Sequence, residues 1–217
     1  MTTRPGQHFT HRARTPLFPQ RDSPSPKGST SRFKMFSTFA SKNSPISVTP
    51  ANIYTPGIFR STYSGYMGSL TDTNDNVNFF DGATPTSTTV QLTVISDPDT
   101  DDGETYSRQW LGYFRPLTTE TYTFYLASDD CSWMWIGNNA VSGYTRENAT
   151  VNNGGLHGFV EKSGTSALTA GLYYPIRVQF GENTVADRLD FNFSTATISK
   201  TTNVTGKVFY NRATNGF

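Results

Sequence analysis

The chain contains a single cysteine, Cys131, among its 217 residues. One cysteine cannot form a disulfide within the chain, so stability has to come from packing or from a bound metal, and an oxidising compartment is not required. The sequence has no run of the roughly 18 apolar residues that a membrane-spanning helix needs, and its N-terminus lacks the apolar segment of a secretory signal. It also lacks a sustained 3.6-residue apolar pattern, so long helices are not expected.

The motifs of common enzyme classes are missing as well. No P-loop, G-x-S-x-G, H-E-x-x-H or C-x-x-C pattern occurs in the chain. Cys131 could serve as a nucleophile with His157 only as a thiolate, and its acidic neighbours would raise the pKa of the thiol. We therefore predict that the protein is not an enzyme and that Cys131 is a small structural residue.

An acidic segment, "DPDTDDGE" at 97–104, invites comparison with the calcium-binding loop of an EF-hand. The comparison fails because Asp102 occupies the position that requires glycine, and Arg108 occupies the twelfth position, which requires an acid. We interpret this segment as a solvated acidic connection between strands.

The formal net charge of +1 conceals an uneven distribution of charge. Residues 1–50 carry eight Lys or Arg and one acidic residue, a net charge of +7, which leaves −6 for residues 51–217. The same first segment holds seven of the 12 prolines. We predict a basic, Pro/Ser-rich, extended or disordered N-terminal arm at 1–50 and an acidic globular domain at 51–217.

Several roles are open for the arm: a solvated tail, an anchor within an assembly, or an organelle transit peptide. Sequence-specific binding to nucleic acid is not expected. Met35 offers a second starting point, in which case residues 1–34 would not belong to the native protein.

Apolar residues alternate with polar ones along much of the acidic domain, which is typical of half-buried strands. One such pattern places Ile176, Val178 and Phe180 on one face, and another does so for Leu189, Phe191 and Phe193. Short strands with polar turns predict an all-β fold, an antiparallel sandwich or barrel. The other predicted strands are Gly57–Gly68, Thr88–Ile95, Tyr106–Phe114, Thr121–Ser128, Ser132–Gly137 and the "KVFY" segment near the end.

Two connections in this domain stand out. "RPLTTE", Arg115–Glu120, is short enough to predict a hairpin between the strands Tyr106–Phe114 and Thr121–Ser128. The stretch between Gly137 and Ser166 is rich in Gly and Asn and predicts a long loop, which in a compact domain is either functional or poorly ordered.

Asp129 and Asp130 lie side by side between two predicted strands. In an ordinary extended backbone they would point to opposite faces, whereas a cis peptide would direct both carboxylates to one side. A divalent cation between them would offset their repulsion, and Ca²⁺ suits such a site better than Zn²⁺ because it takes six to eight oxygen ligands. Sugar hydroxyls could fill its open positions. The alternative is a solvated turn.

Two long segments carry a resemblance to a known family, "YSRQWLGYFRPLTTETYTFYLASDDCSWMWIG" and "SALTAGLYYPIRVQFGENTVADRLDFNF". They resemble the PA14-like β-sandwich of yeast flocculins and GLEYA-type adhesins, which are calcium-dependent lectins with an adjacent Asp pair joined by a cis peptide. The resemblance covers roughly Ile58 to Phe193. It implies a PA14-like sandwich that binds a glycan without catalysis.

The resemblance also implies a set of calcium ligands. Asp129 and Asp130 match the calcium-binding pair, Asn183 matches an amide ligand, and Val185 and Asp187 match two backbone carbonyl donors. The chain departs from the pattern at Asp187, where the adhesins have an aromatic residue. The disulfides and secretion signal of flocculins are also absent, so a role in a cell wall does not transfer.

An aromatic ring would be expected to cover a bound sugar beside the two aspartates. Tyr144, in the long Gly/Asn-rich segment, is the better candidate. Trp133 is a second candidate, although Trp133 and Trp135 have the spacing of strand residues that share one face and pack in a core. His157 has no second histidine nearby with which to bind a metal.

Shorter segments resemble PA14-like virion proteins of marine tailed phages, the cyanophages: "NNGGLHG", "YYPIRVQFGEN" and "FYN-x-ATNGF". This implies a virion structural protein, localised in the particle, whose lectin-like domain recognises a host-surface glycan. Its arm would dock on other virion proteins, and it would form a homo-oligomer in an assembly. The alternative is a purely structural capsid or tail decoration or connector, in which the Asp pair is a stabilising metal site or a solvated turn.

Overall fold

A computed structural model describes residues 54–71, 74–92, 94–98, 105–201, 207–212 and 217. Nearly all regular structure in these ranges is strand, with one helix of four residues. The elements are β1 Tyr54–Pro56, β2 Ile58–Ser64, β3 Ser87–Gln91, β4 Ser96–Asp97, β5 Tyr106–Phe114, β6 Glu120–Asp129, β7 Ser132–Ile136, α1 Asn138–Val141, β8 Val151–Asn153, β9 Val160–Leu168, β10 Tyr174–Glu182, β11 Arg188–Ser194 and β12 Phe209–Arg212.

The strands form two antiparallel sheets. The larger sheet has the order β1-β12-β5-β10-β7-β8, with β2 attached to β5 and β3 attached to β2. The smaller sheet has the order β4-β11-β6-β9. Buried side chains from both sheets form one apolar core, which confirms the predicted all-β antiparallel sandwich.

The core follows the alternation that the sequence shows. Ile176, Val178 and Phe180 on β10 are fully buried, and so are their counterparts Leu189, Phe191 and Phe193 on β11. Aromatic rings fill the centre. The ring of Phe114 on β5 packs edge-on against four others from both sheets at centroid distances of 5.3 to 6.0 Å: Tyr122, Phe124, Phe193 and Phe209.

The predicted hairpin between β5 and β6 is wrong. β5 pairs with β10, β12 and β2 in the larger sheet, whereas β6 pairs with β11 and β9 in the smaller one. The connection Arg115–Glu120 therefore crosses from one sheet to the other. Alternation only says that a strand buries one face, and that condition is met equally by a turn within a sheet and by a crossing between sheets.

The segment between Gly137 and Ser166 is not one long loop. It holds α1, β8 and the first part of β9, and β9 pairs with β6 from Val160↔Ser128 to Leu168↔Glu120. β9 is an edge strand, and most of its residues are exposed. Its sequence therefore lacks the apolar alternation that identifies strands with a buried face.

The second predicted strand, Thr88–Ile95, is shorter in the structure, where β3 ends at Gln91 and is largely exposed. The predicted basic arm at 1–50 lies outside the described residues, and the division of the chain at residue 50 stays a prediction. Among the helices that the structure describes, none has the length and apolar character needed to cross a membrane.

Candidate functional site

The candidate site lies at a corner of the sandwich where the chain crosses between the sheets. β6 of the smaller sheet ends at Asp129, and β7 of the larger sheet begins at Ser132. The peptide bond between Asp129 and Asp130 is cis. Cys131, the next residue, is fully buried. The two aspartates thus occupy the turn itself, with the core directly behind them.

Three carboxylates converge at this corner: Asp129, Asp130 and Glu182. One oxygen from each lies within 4.8 Å of the others. Asp130 is held by two backbone N–H groups. His157 N–H donates to its Oδ1 at 3.3 Å, and Asn183 N–H donates to its Oδ2 at 3.0 Å. Asp130 therefore connects the loop after β8 with the loop after β10.

Glu182 is the member of this cluster that the sequence analysis missed. It continues the inward-facing positions of β10 and is only 1% exposed. Neither of its carboxylate oxygens has a hydrogen-bond partner among the described residues. Burial, together with the charges of Asp130 and Asp129, raises the pKa of Glu182 to about 8.

Opposing effects act on the pKa of Asp130. Burial raises its pKa, the N–H of Asn183 lowers it, and the adjacent charge of Asp129 raises it again, with a net upward shift. The neutral form of Asp130 is therefore favoured more than in an exposed aspartate.

The residues at this corner fit a hard divalent cation. Carboxylate oxygens are the ligands that Ca²⁺ prefers, and a cation would supply the partner that the buried Glu182 oxygens lack. The cluster found among the described residues consists of carboxylates and includes no cysteine or histidine side chain. The Cys131 thiol points to the carbonyl of Gly181 at 3.8 Å, and burial raises its pKa well above the usual value, so it stays protonated.

The predicted ligands on the loop after β10 are only partly assembled around the two aspartates. Asn183 contacts Asp130 through its backbone N–H, while its side-chain amide is 3.4 Å from the hydroxyl of Thr184. Val185 is 79% exposed and has a φ of 82°. The Asp187 carboxylate is buried and accepts a hydrogen bond from the Tyr106 hydroxyl at 2.7 Å. Carbonyl ligation by Val185 and Asp187 stays a prediction.

The two rings predicted to cover a sugar are buried. Trp133 is 2% exposed, and its indole N–H donates to Asp75 at 3.1 Å. Tyr144 is 8% exposed, and the guanidinium of Arg177 lies 4.0 Å from the centroid of its ring. Their role in sugar binding stays a prediction that these positions do not favour. Trp135, expected in the core, is fully buried.

A different ring, Phe159, lies beside the acidic corner. It is 48% exposed, and the guanidinium of Arg188 sits 4.5 Å from its ring centroid. Arg188 is the cross-strand partner of Asp129, and a methyl group added at Gly158 would lie 3.9 Å from the Asp129 carboxylate. The sequence carried no signal for Phe159, because the edge strand that follows it shows no alternation.

The acidic segment that resembled an EF-hand begins with a structural residue. Asp97 is 1% exposed and forms an ion pair with Arg108. The Tyr106 hydroxyl is also within hydrogen-bond distance of Asp97, at 3.0 Å. The rest of that segment, 99–104, lies outside the described residues.

Comparison with known proteins adds independent information on this segment of the chain. Residues 106–195, from the start of β5 to just beyond β11, match the GLEYA domain model. No curated protein matches the chain. Among solved structures, the A domain of Epithelial Adhesin 6 from Candida glabrata, in complex with Galβ1-3GlcNAc, has a TM-score of 0.55 at 18% identity. That match covers 77% of this chain and 92% of the adhesin domain.

Two further structures share the fold. An anti-sigma factor domain-containing protein from Clostridium clariflavum matches with a TM-score of 0.56 at 19% identity, over 75% of this chain and 49% of that protein. The PA14 domain of the antifreeze protein MpAFP matches with a TM-score of 0.52 at 10% identity, over 74% and 93%. The chain spans about half the length of the anti-sigma factor proteins that it matches. These likenesses show that the fold is a PA14-like β-sandwich.

The pKa of Glu182 predicts how stability varies with pH in the absence of a cation. Its value is about 8 in the folded protein against an ordinary 4.5, so between these limits the folded state keeps a proton that the unfolded state loses. The free energy of unfolding should therefore fall as the pH rises through this window, by at most about 1.4 kcal/mol per pH unit from this group. Urea denaturation in EDTA, at about pH 5.5, 6.5 and 7.5, measures the slope.

Glu182→Gln has no such proton to lose, so this variant should show a shallower slope. Glu161→Gln is the matched control, because Glu161 is exposed and pairs with Lys200 at the surface. Equal slopes for the wild type and Glu182→Gln would contradict the raised pKa.

Proposed function

We propose that the sandwich is a Ca²⁺-dependent carbohydrate-binding domain whose site is the corner formed by Asp129, Asp130 and the loop that begins at Asn183. One observation supports this most directly. The segment that matches the GLEYA model also contains three converging carboxylates, two of them buried, and neither oxygen of the buried Glu182 has a hydrogen-bond partner among the described residues. Asp129 and Asp130 would hold the cation, together with the Asn183 amide and the carbonyls of Val185 and Asp187.

Ca²⁺ held at this corner would accept six to eight oxygen ligands, and two vicinal hydroxyls of a sugar can provide two of them. The chain's own residues orient the ligand. The N–H groups of His157 and Asn183 fix the direction of the Asp130 carboxylate, so its oxygens are set before a sugar arrives. Free carboxylate lone pairs then accept the hydroxyl hydrogens of the sugar.

In this function the corner binds a carbohydrate and performs no catalysis. The nearest nucleophile, the Cys131 thiol, is fully buried and protonated. Galactose-containing glycans are the first probes to test. The Epithelial Adhesin 6 domain was solved with Galβ1-3GlcNAc, and the Epithelial Adhesin 9 domain with Galβ1-3GlcNAc and Galβ1-4GlcNAc.

A glycan array tests the proposal directly. Wild-type protein in Ca²⁺ should bind one or more glycans, and both EDTA and Asp130→Ala should reduce that binding to background. The physical reason is that Asp130→Ala removes a carboxylate and also leaves the N–H groups of His157 and Asn183 without their acceptor.

Glu161→Gln serves as the control for a general change of charge, and it should bind like the wild type. Circular dichroism of Asp130→Ala should show an intact sandwich. Glycan binding that survives both EDTA and Asp130→Ala would leave the corner without its proposed role.

We assign the role of the sugar-covering ring to Phe159. Its ring is half exposed, and the guanidinium of Arg188 lies over it. Phe159 directly precedes β9, whose first residue, Val160, pairs with Ser128 next to Asp129. Sugar sites commonly combine a few fixed polar groups with an apolar face, and Phe159 supplies that face next to the acidic corner.

Phe159→Ala should weaken glycan binding about tenfold, which corresponds to about 1.4 kcal/mol, without changing Ca²⁺ affinity. Isothermal titration with Ca²⁺ and then with the glycan separates the two effects. Leu172→Ala is the matched control, because Leu172 is 54% exposed and precedes the start of β10, whereas Glu182 ends that strand. An unchanged glycan affinity in Phe159→Ala would show that Phe159 does not cover the sugar.

The wider setting that we propose is a tailed-phage virion, in which copies of this domain recognise a host-surface glycan and the basic arm docks each copy on other virion proteins. The support is the resemblance of short segments to cyanophage virion proteins and the concentration of positive charge in residues 1–50. Deleting residues 1–50 should abolish incorporation into particles while glycan binding by the purified protein persists. Normal incorporation of the deletion variant would exclude the arm as the anchor.

A further inference from the structure

We infer that Glu182 is a third carboxylate ligand, which holds the cation from the interior of the sandwich and makes cation binding independent of the sugar. This inference rests on the proposed cation site at the same corner. It adds to that site a ligand on β10, in the sheet opposite the strand that Asp129 ends. The cation would then connect the two sheets as well as receive a glycan.

The register of β10 explains how a glutamate comes to face inward. Ile176, Val178 and Phe180 occupy alternate positions of the strand and are fully buried. Glu182 is the next position in that series, and its cross-strand partner on β5 is Tyr106. A position of this kind ordinarily takes an apolar side chain. Here the strand ends its row of core residues with a carboxylate that has an oxygen within 4.8 Å of an oxygen from each of the two aspartates.

Among the described residues, Glu182 has no partner of opposite charge. The residue is 1% exposed, and neither carboxylate oxygen has a hydrogen-bond partner within bonding distance. The backbone N–H of Asp130 is close enough to lower the pKa of Glu182, but burial and the neighbouring acids outweigh it. Leaving a buried carboxylate unpaired costs several kcal/mol. Two further carboxylates, Asp129 and Asp130, each have an oxygen within 4.8 Å of one from Glu182 and add repulsion. A cation between the three would balance that repulsion.

A third carboxylate changes what the site does. The affinity of calcium sites rises with the number of charged ligands, so the cation should stay bound at lower Ca²⁺ concentrations than two aspartates allow. Glu182 is buried, whereas Phe159 and Val185 are exposed. Loss of the Glu182 carboxylate should therefore weaken cation binding itself, which a titration without sugar measures.

The test is a calcium titration of chelator-treated, full-length protein without sugar. Isothermal titration should show Ca²⁺ binding to Glu182→Gln that is weaker than wild type by about tenfold or more, and unchanged binding to Glu161→Gln. Thermal melting provides a second reading. The melting temperature of Glu182→Gln should rise less than that of the wild type on adding Ca²⁺. Loss of a merely structural residue would lower the melting temperature equally with and without Ca²⁺ and leave the Ca²⁺-induced rise unchanged.

Glu182→Asp is the second variant if the amide fails to fold. It keeps the charge but withdraws the carboxylate by one methylene, so it should bind Ca²⁺ more weakly than wild type and still be stabilised by it.

The outcomes separate this inference from the proposed function. Calcium affinities of Glu182→Gln and Glu182→Asp equal to wild type would overturn the inference and leave the lectin proposal intact. Weaker calcium binding by the variants, with no glycan bound by any protein, would support the inference and overturn the lectin proposal. A wild-type protein that binds no Ca²⁺ would overturn both.

Discussion

The repulsion between carboxylates at one corner of the sandwich is the constraint around which this end of the molecule is arranged. Asp129, Asp130 and Glu182 meet where the chain passes from one sheet to the other, and two of the three are buried. Like charges in a medium of low dielectric constant interact strongly, so the arrangement is stable only if protons or a cation reduce the charge. Burial, together with this repulsion, raises the pKa values of Glu182 and Asp130, and the same arrangement of oxygens fits a divalent cation.

The other buried acids of the same domain show how the protein treats charges that it keeps for structure. Asp97 is paired with Arg108, and Asp187 accepts a hydrogen bond from Tyr106. Asp75 accepts hydrogen bonds from Trp133 and from two backbone N–H groups. Each of these carboxylates has a partner within the fold. Glu182 differs because neither of its oxygens has a hydrogen-bond partner within bonding distance among the described residues, and this contrast supports the proposed cation site.

Much of the fold follows from local patterns. Strands with one buried face, such as β6, β10 and β11, show the period of two that predicts them, and their inward residues are the ones the pattern selected. Two expectations failed for physical reasons. β9 is an exposed edge strand without alternation, and the link between β5 and β6 crosses the sandwich, which no local pattern distinguishes from a hairpin.

The sequence by itself determined that Asp129 and Asp130 are neighbours between two strands, that the chain has no disulfide to stabilise it, and that the domain is a sandwich. Only the tertiary structure shows that Glu182 lies close to the two aspartates, that Tyr144 is buried and that Phe159 is exposed. The reason is that these relations depend on which strands pair and which sheet each strand joins. Glu182 and Asp130 are 52 positions apart in the chain, and they meet because β10 lies beside β7.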